Sequence, residues 1–270
     1  DQVLHGTRNA GSEISENELV YNYANPDAAL GNFLQGAAEI HSIVQWARSF
    51  SVDADNSPTG EAITIDPEQI YFFGHSQGGT TGPIALPYDQ DVQGAVFSGA
   101  GGGFALAITN KTSPVNSPAA LSVVLQESEI GSGHPVINLL QGYFDPVDPV
   151  NFGTRIATSP IENETYPHHV FHTNGIGDTF TPPVAMNTYA TALRATYVNP
   201  VPEEIDNVPS ADAPFGGNVA FDMSLFTVAG RQYEPGDYDG HFVAFRNATA
   251  IQDIENLLGT AYTTGVPEIR

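Results

Sequence analysis

Three short runs of β-branched and aromatic residues, each stopped by glycine, limit what this chain can fold into more than any other feature. Ile70-Tyr71-Phe72-Phe73 stops at Gly74, Val92 to Phe97 ends in Gly99-Ala100-Gly101-Gly102-Gly103, and Pro167 to His172 ends in Gly175-Ile176-Gly177-Asp178. Runs of this length bounded by glycine read as buried strands. A fourth strand is expected over Val219 to Val228, and the Pro-rich stretch from Asn199 to Pro214 is expected as a long surface loop. Helical stretches lie between and around them. Residues 27–50 set Leu30, Phe33, Leu34, Ala37, Ile40, Val44 and Ala47 at the spacing of an amphipathic helix, and Ile251, Ile254, Leu257 and Leu258 define a last one. Strands alternating with helices predict an α/β class, with a mostly parallel sheet flanked by helices on both faces.

Composition narrows the functions such a fold could carry. The 270 residues suit one large domain, which needs no cross-links, and the chain has no cysteine to make them. Thiol nucleophiles, thiolate metal sites and iron–sulfur clusters are thereby excluded. Eight basic residues against 31 acidic ones leave a net charge of −23, and Lys111 is the single lysine. A surface that tracks phosphates cannot be assembled from these, so nucleic-acid binding is excluded. The longest uncharged run, Val92 to Asn110, is broken by five glycines and does not read as a bilayer span, and residues 1–6 carry no signal-peptide pattern. A secreted or cell-surface setting is favoured over a cytoplasmic one.

The chemistry concentrates where the first strand ends. Ile70 to Phe73 runs into Gly74-His75-Ser76-Gln77-Gly78-Gly79, a G-x-S-x-G pattern followed by a stretch that can form a helix despite Pro83. A serine on a sharp strand-to-helix turn needs minimal side chains two before and two after it. A serine hydroxyl is a weak nucleophile until a base takes its proton and a carboxylate orients that base. Asp178 follows one strand in a loop opened by glycine and closed by Pro182-Pro183, and His241 follows another in Asp239-Gly240-His241-Phe242. Asp145, Asp148, Asp206 and Asp212 are rival acids.

Together the Gly74–Gly79 turn, the Gly177-Asp178 loop and Gly240-His241-Phe242 resemble the esterase and lipase branch of the α/β-hydrolase superfamily, from about Leu30 to the end of the chain. The resemblance implies Ser76 as nucleophile, His241 as general base and then acid, Asp178 as its orienting carboxylate, and the backbone N–H of Gln77 as one oxyanion donor. It implies a serine hydrolase cleaving carboxylic esters through an acyl-enzyme, without a cofactor or metal. Acyl transfer to an alcohol by the same triad, or a noncatalytic binding domain, are the alternatives. The hydrolase core is expected over residues 1–103 and 167–270. Residues 104–166, too long for a simple crossover, are expected to form a helical cap over a hydrophobic acyl site. The superfamily places several strands before this turn, and these are missing here. Asp1 to Arg8 is similar to the loop after the fourth strand of such enzymes, which predicts a companion N-terminal chain or segment supplying the upstream strands and the second oxyanion donor.

Other clusters invite blander readings. His168, His169 and His172 cannot share one face of a strand and lack a carboxylate, so satisfied polar contacts are expected there in place of a metal. Asp145-Pro146-Val147-Asp148 reads as a turn before it reads as a calcium loop, and His75 as a packing neighbour before a second base. The Gly99–Gly103 run fails the dinucleotide fingerprint at Phe104 and is expected to let backbone approach the site closely.

Overall fold

The glycine-stopped runs become strands of one sheet. In the computed structural model, which describes residues 2–161 and 165–270, they are β1 (Ile70–His75), β2 (Val92–Ser98) and β3 (His169–Gly175). They are followed by β4 (Thr196–Val198), β5 (Ser210–Ala211) and β6 (Val228–Tyr233). Hydrogen bonding sets the order β1-β2-β3-β6-β4-β5, and every neighbouring pair is parallel.

The pleat sorts consecutive side chains onto opposite faces. Ala95, Phe97, Val170 and Val228 enter one hydrophobic core, whereas their neighbours Val96, Phe171 and Ala229 enter another. This is why the central strands read as continuous apolar runs: both faces are covered. The first face is covered by α2 (Pro26–Ser49), α3 (Gly78–Ala85) and α8 (Pro183–Leu193), and the second by α9 (Val243–Arg246) and α10 (Ala248–Thr264). Helix α2 begins where Asn25 accepts a bond from the Ala28 N–H and Pro26 occupies the first turn, and it buries Phe33, Ile40 and Val44. The short α1 (Glu16–Tyr21) precedes it behind a Ser15–Glu18 capping box.

Between β2 and β3 the chain makes α4 (Phe104–Asn110), α5 (Ser117–Leu125), α6 (Pro135–Phe144) and α7 (Gly153–Ala157). Phe104 and Phe144 stack at 4.6 Å, and both pack edge-on against Phe33 of α2, which anchors α4 and α6 to the first core. Helix α5 is apolar yet buries none of its residues.

Three expectations are corrected. The segment Val219 to Val228 is not one strand: Val219–Phe221 and Ser224–Phe226 form an antiparallel hairpin turning at Asp222 and Met223, both at positive φ, and the sheet strand starts only at Val228. The Asn199–Pro214 stretch, expected as surface loop, contributes β5, paired to β4. Strand β1 is not fully buried, because it lies at the edge of the sheet; Phe73 is 43% exposed there, and Trp46 of α2 is 57% exposed. Among the described residues no helix is long and apolar enough to cross a membrane.

Candidate active site

The turn after β1 requires glycine at positions 74 and 79, whereas a Cβ at position 78 would meet open space. Ser76 sits at φ 53°, a left-handed conformation that costs energy for any residue with a side chain. Its N–H bonds Ser98 O on β2 at 2.9 Å, and its carbonyl accepts from the Gly79 N–H at 2.9 Å as α3 begins. A Cβ at position 74 would lie 2.6 Å from the Gly78 carbonyl oxygen, and one at position 79 would lie 2.4 Å from Ala100 Cβ. The Gln77 N–H, at the start of α3, donates to no group among the described residues. It is thus free to meet negative charge.

Asp178 and His241 arrive from β3 and β6 and meet in a buried contact. Their exposures are 3% and 2%, and His241 Nδ1 lies 2.8 Å from Asp178 Oδ2. The other carboxylate oxygen, Oδ1, accepts the N–H groups of Phe180 at 2.8 Å and Thr181 at 2.7 Å. With Asp178 ionised, the ring proton belongs on Nδ1 and Nε2 is left as the acceptor. Phe180 lies almost parallel to the imidazole, 4.8 Å away at 13°. A second carboxylate, Asp239, holds the two loops together: Oδ1 accepts the N–H of His241 at 2.9 Å and of Thr179 at 3.2 Å, and Oδ2 accepts the Thr179 hydroxyl. Gly99 fits only as glycine, since a Cβ there would approach His241 Nδ1 to 2.8 Å. Ser76 makes no side-chain hydrogen bond to His241 in this structure. Such links commonly close only when substrate is present.

His75 packs beside this group with its ring 4.6 Å from that of His241. Burial, then the neighbouring His241, pushes its pKa down to about 4. It therefore adds no like charge beside His241 at neutral pH.

Ser76 and Thr80 open onto a cavity of about 640 Å³. Its walls are mainly apolar: Ile108 of α4, Leu121 and Val124 of α5, and Leu140 of α6 line it together with Gly101–Gly103. The exposed apolar face of α5 is thus a cavity wall. No residue of the segment 2–8 lines this cavity; His5 Nδ1 bonds Val3 O and the Gly6 N–H bonds Glu16, tying that segment to α1. Asp1 lies outside the described residues.

Asp148, read from sequence as a turn residue or a rival acid, has a different position. It is 1% exposed, and its carboxylate accepts the N–H groups of Gly103 at 2.9 Å and Phe104 at 2.9 Å, with Gln141 of α6 at 2.9 Å. It fastens the glycine run to the start of α4 and so shapes the cavity floor. Only the proximity of Asp148 to a proline-opened turn hinted at a cap, and nothing local to it named the distant N–H groups it meets.

The three histidines of β3 and its approach are satisfied by protein groups. His168 reaches Val92 O at 2.7 Å and Leu86 O at 2.8 Å, His169 accepts the Thr227 N–H, and His172 lies between Tyr197 Oη at 2.8 Å and Ala100 O at 2.9 Å. Burial lowers the pKa of His169 and of His172 to about 4. The unfolded chain takes up these protons near the ordinary histidine value, so their contribution is complete above about pH 6.5 and is lost as pH falls toward 4. Each of the two then removes on the order of 3 kcal/mol over that interval. Urea unfolding at pH 7.5 and 4.5 should show this loss, and His172→Gln should flatten the profile; a pH-independent midpoint would contradict it.

No family model matches this chain, and no curated protein does. Among solved structures it is similar to acetyl xylan esterase 1 from Thermoanaerobacterium sp. JW/SL YS485, at 12% identity and a TM-score of 0.51, over 93% of this chain and 59% of that one. It is also similar, at TM-scores of 0.45 and 0.46, to a puromycin-hydrolyzing peptidase of Mycobacterium tuberculosis and to prolyl oligopeptidase B from Galerina marginata. Identities to these are 13% and 14%; the matches cover 86% and 88% of this chain but 25% and 26% of those. The chain thus spans about three-fifths of the length of the esterase. With its parallel sheet and two helical layers, it has the α/β-hydrolase fold.

Proposed function

We propose that this chain is a serine hydrolase that cleaves carboxylic esters with an apolar acyl group. The observation that carries the reading is the buried 2.8 Å contact between Asp178 and His241 beside a serine held at φ 53° over an apolar cavity. In the proposed reaction His241 Nε2 takes the Ser76 hydroxyl proton as Oγ attacks the ester carbonyl carbon. The developing oxyanion meets the Gln77 N–H, a donor already oriented before charge appears. The C–O bond of the leaving alcohol then breaks as His241 returns the proton to it, leaving an acyl-Ser76. Water, deprotonated by His241, attacks that acyl carbon; the bond to Oγ then breaks as His241 returns the proton to Oγ, and the carboxylic acid leaves. Helices α4 to α6 are the proposed cap, their apolar wall receiving the acyl chain.

The open edge of β1 supports a second element of the reading. A strand from outside these 270 residues pairs with it and covers Phe73, since an exposed edge beside a large apolar group invites strand addition. The test is intact-mass spectrometry before and after a fluorophosphonate probe, with peptide mapping. A single adduct on Ser76 is expected, with a second mass for a companion chain. No adduct in the assembled protein would favour a binding domain, and a labelled chain with no companion would remove the strand-addition element alone.

A further inference from the structure

Lys111 is the one lysine in a chain of net charge −23, and it lines the same cavity as Ser76. Its backbone is fixed. It closes α4 through a bond to Ala107 O, its carbonyl accepts the Ser117 N–H, and the next two residues, Thr112 and Ser113, both donate to Thr179 O in the loop of Asp178, each at 3.0 Å. Its ammonium, by contrast, meets no carboxylate within ion-pair distance and no hydrogen-bond acceptor among the described residues. The other charged residue of the lining, Glu18, is engaged by Ser15 in the cap of α1.

A half-buried cation without a partner is costly, and burial duly lowers its pKa, with the more distant Asp178 opposing that shift. A cation at a helix C-terminus gains modestly from the dipole when it is exposed to water. That gain explains a base at this position but not one laid against the wall of an apolar cavity. The remaining charge of the molecule repels anions at long range, yet at physiological salt such repulsion is screened beyond about 8 Å. Inside the cavity the nearest charge decides.

Resting on the hydrolase reading above, we propose that Lys111 forms an anion subsite, and that the preferred substrates are esters bearing a second, ionised carboxylate. The apolar wall then contacts the methylenes between the two ends.

The test compares mono-4-nitrophenyl glutarate with the neutral 4-nitrophenyl butyrate, in the wild type and in Lys111→Met and Lys111→Arg. The ratio of the two kcat/KM values should fall about 10- to 100-fold in Lys111→Met, the range that a charge-assisted hydrogen bond spans, and be largely restored in Lys111→Arg. A merely structural lysine would lower both rates together and leave the ratio unchanged, which would overturn the subsite. A readout independent of turnover separates the two readings. Labelling with [ε-¹³C]lysine gives one side-chain resonance, which should shift on titration with glutarate and not with uncharged glutaramide. If neither ester is hydrolysed but this resonance responds, the hydrolase reading fails and the subsite stands. If esters are hydrolysed with an unchanged ratio, or if nothing is hydrolysed and the resonance is inert, the subsite is wrong.

Discussion

Ser76→Ala should lower kcat for ester hydrolysis on the order of 10⁶-fold while the protein stays folded, because the substitution removes the atom that attacks and little else. Alanine has the same Cβ and meets the same left-handed backbone at φ 53°, so the strain of the turn is unchanged. The Ser98 and Gly79 hydrogen bonds use only the backbone of residue 76 and persist. Stability should stay within about 0.5 kcal/mol of wild type. Steady-state turnover of a 4-nitrophenyl ester, read beside a thermal melt, checks both halves. A Ser76→Ala variant that kept kcat within about tenfold of wild type would end the nucleophile assignment.

Asp178→Asn should cost about 10⁴-fold in kcat, for a reason visible in the hydrogen bonds. Oδ1 of Asp178 accepts two backbone N–H groups, from Phe180 and Thr181, while Oδ2 faces His241 Nδ1. An asparagine has one acceptor oxygen to offer. Keeping the two backbone donors satisfied places its NH₂ against Nδ1, which must then accept, and the imidazole proton moves to Nε2. The ring stays in place but presents a donor where a base is needed. Because the loop bonds survive, the loss should appear in kcat with little change in the melting temperature. A variant that melts far earlier, with activity lost in proportion, would show a structural role for Asp178.

Much of this arrangement was legible because it is encoded locally. A β-branched run stopped by glycine is a strand end, and in a parallel sheet strand ends gather on one edge, so Ser76, Asp178 and His241 could be brought to the same region from three separate loops. Residues fixed by distant partners were not legible. Val219 to Val228 is apolar enough to read as one strand, yet Asp222 and Met223 turn it back on itself, and only pairing across the turn reveals the hairpin. Ile70 to Phe73 has the composition of an interior strand but stands at the sheet's edge, because what neighbours a strand is not written in the strand. Asp148 and Lys111 were equally hidden: one is defined by N–H groups some 45 residues away, the other by the cavity its side chain borders.

The carboxylate of Asp239 gives the site a division of labour. By holding the N–H of His241 and the backbone and hydroxyl of Thr179 at once, it ties the loop of Asp178 to the loop of His241. The helices bordering the cavity join those loops through two backbone bonds to Thr179, whereas Asp148 and the Phe104–Phe144 stack tie α4 and α6 to each other and to the first core. In the proposed hydrolase, substrate preference can therefore change by reshaping α5, which buries none of its residues, as one changes the jaws of a tool and keeps its pivot.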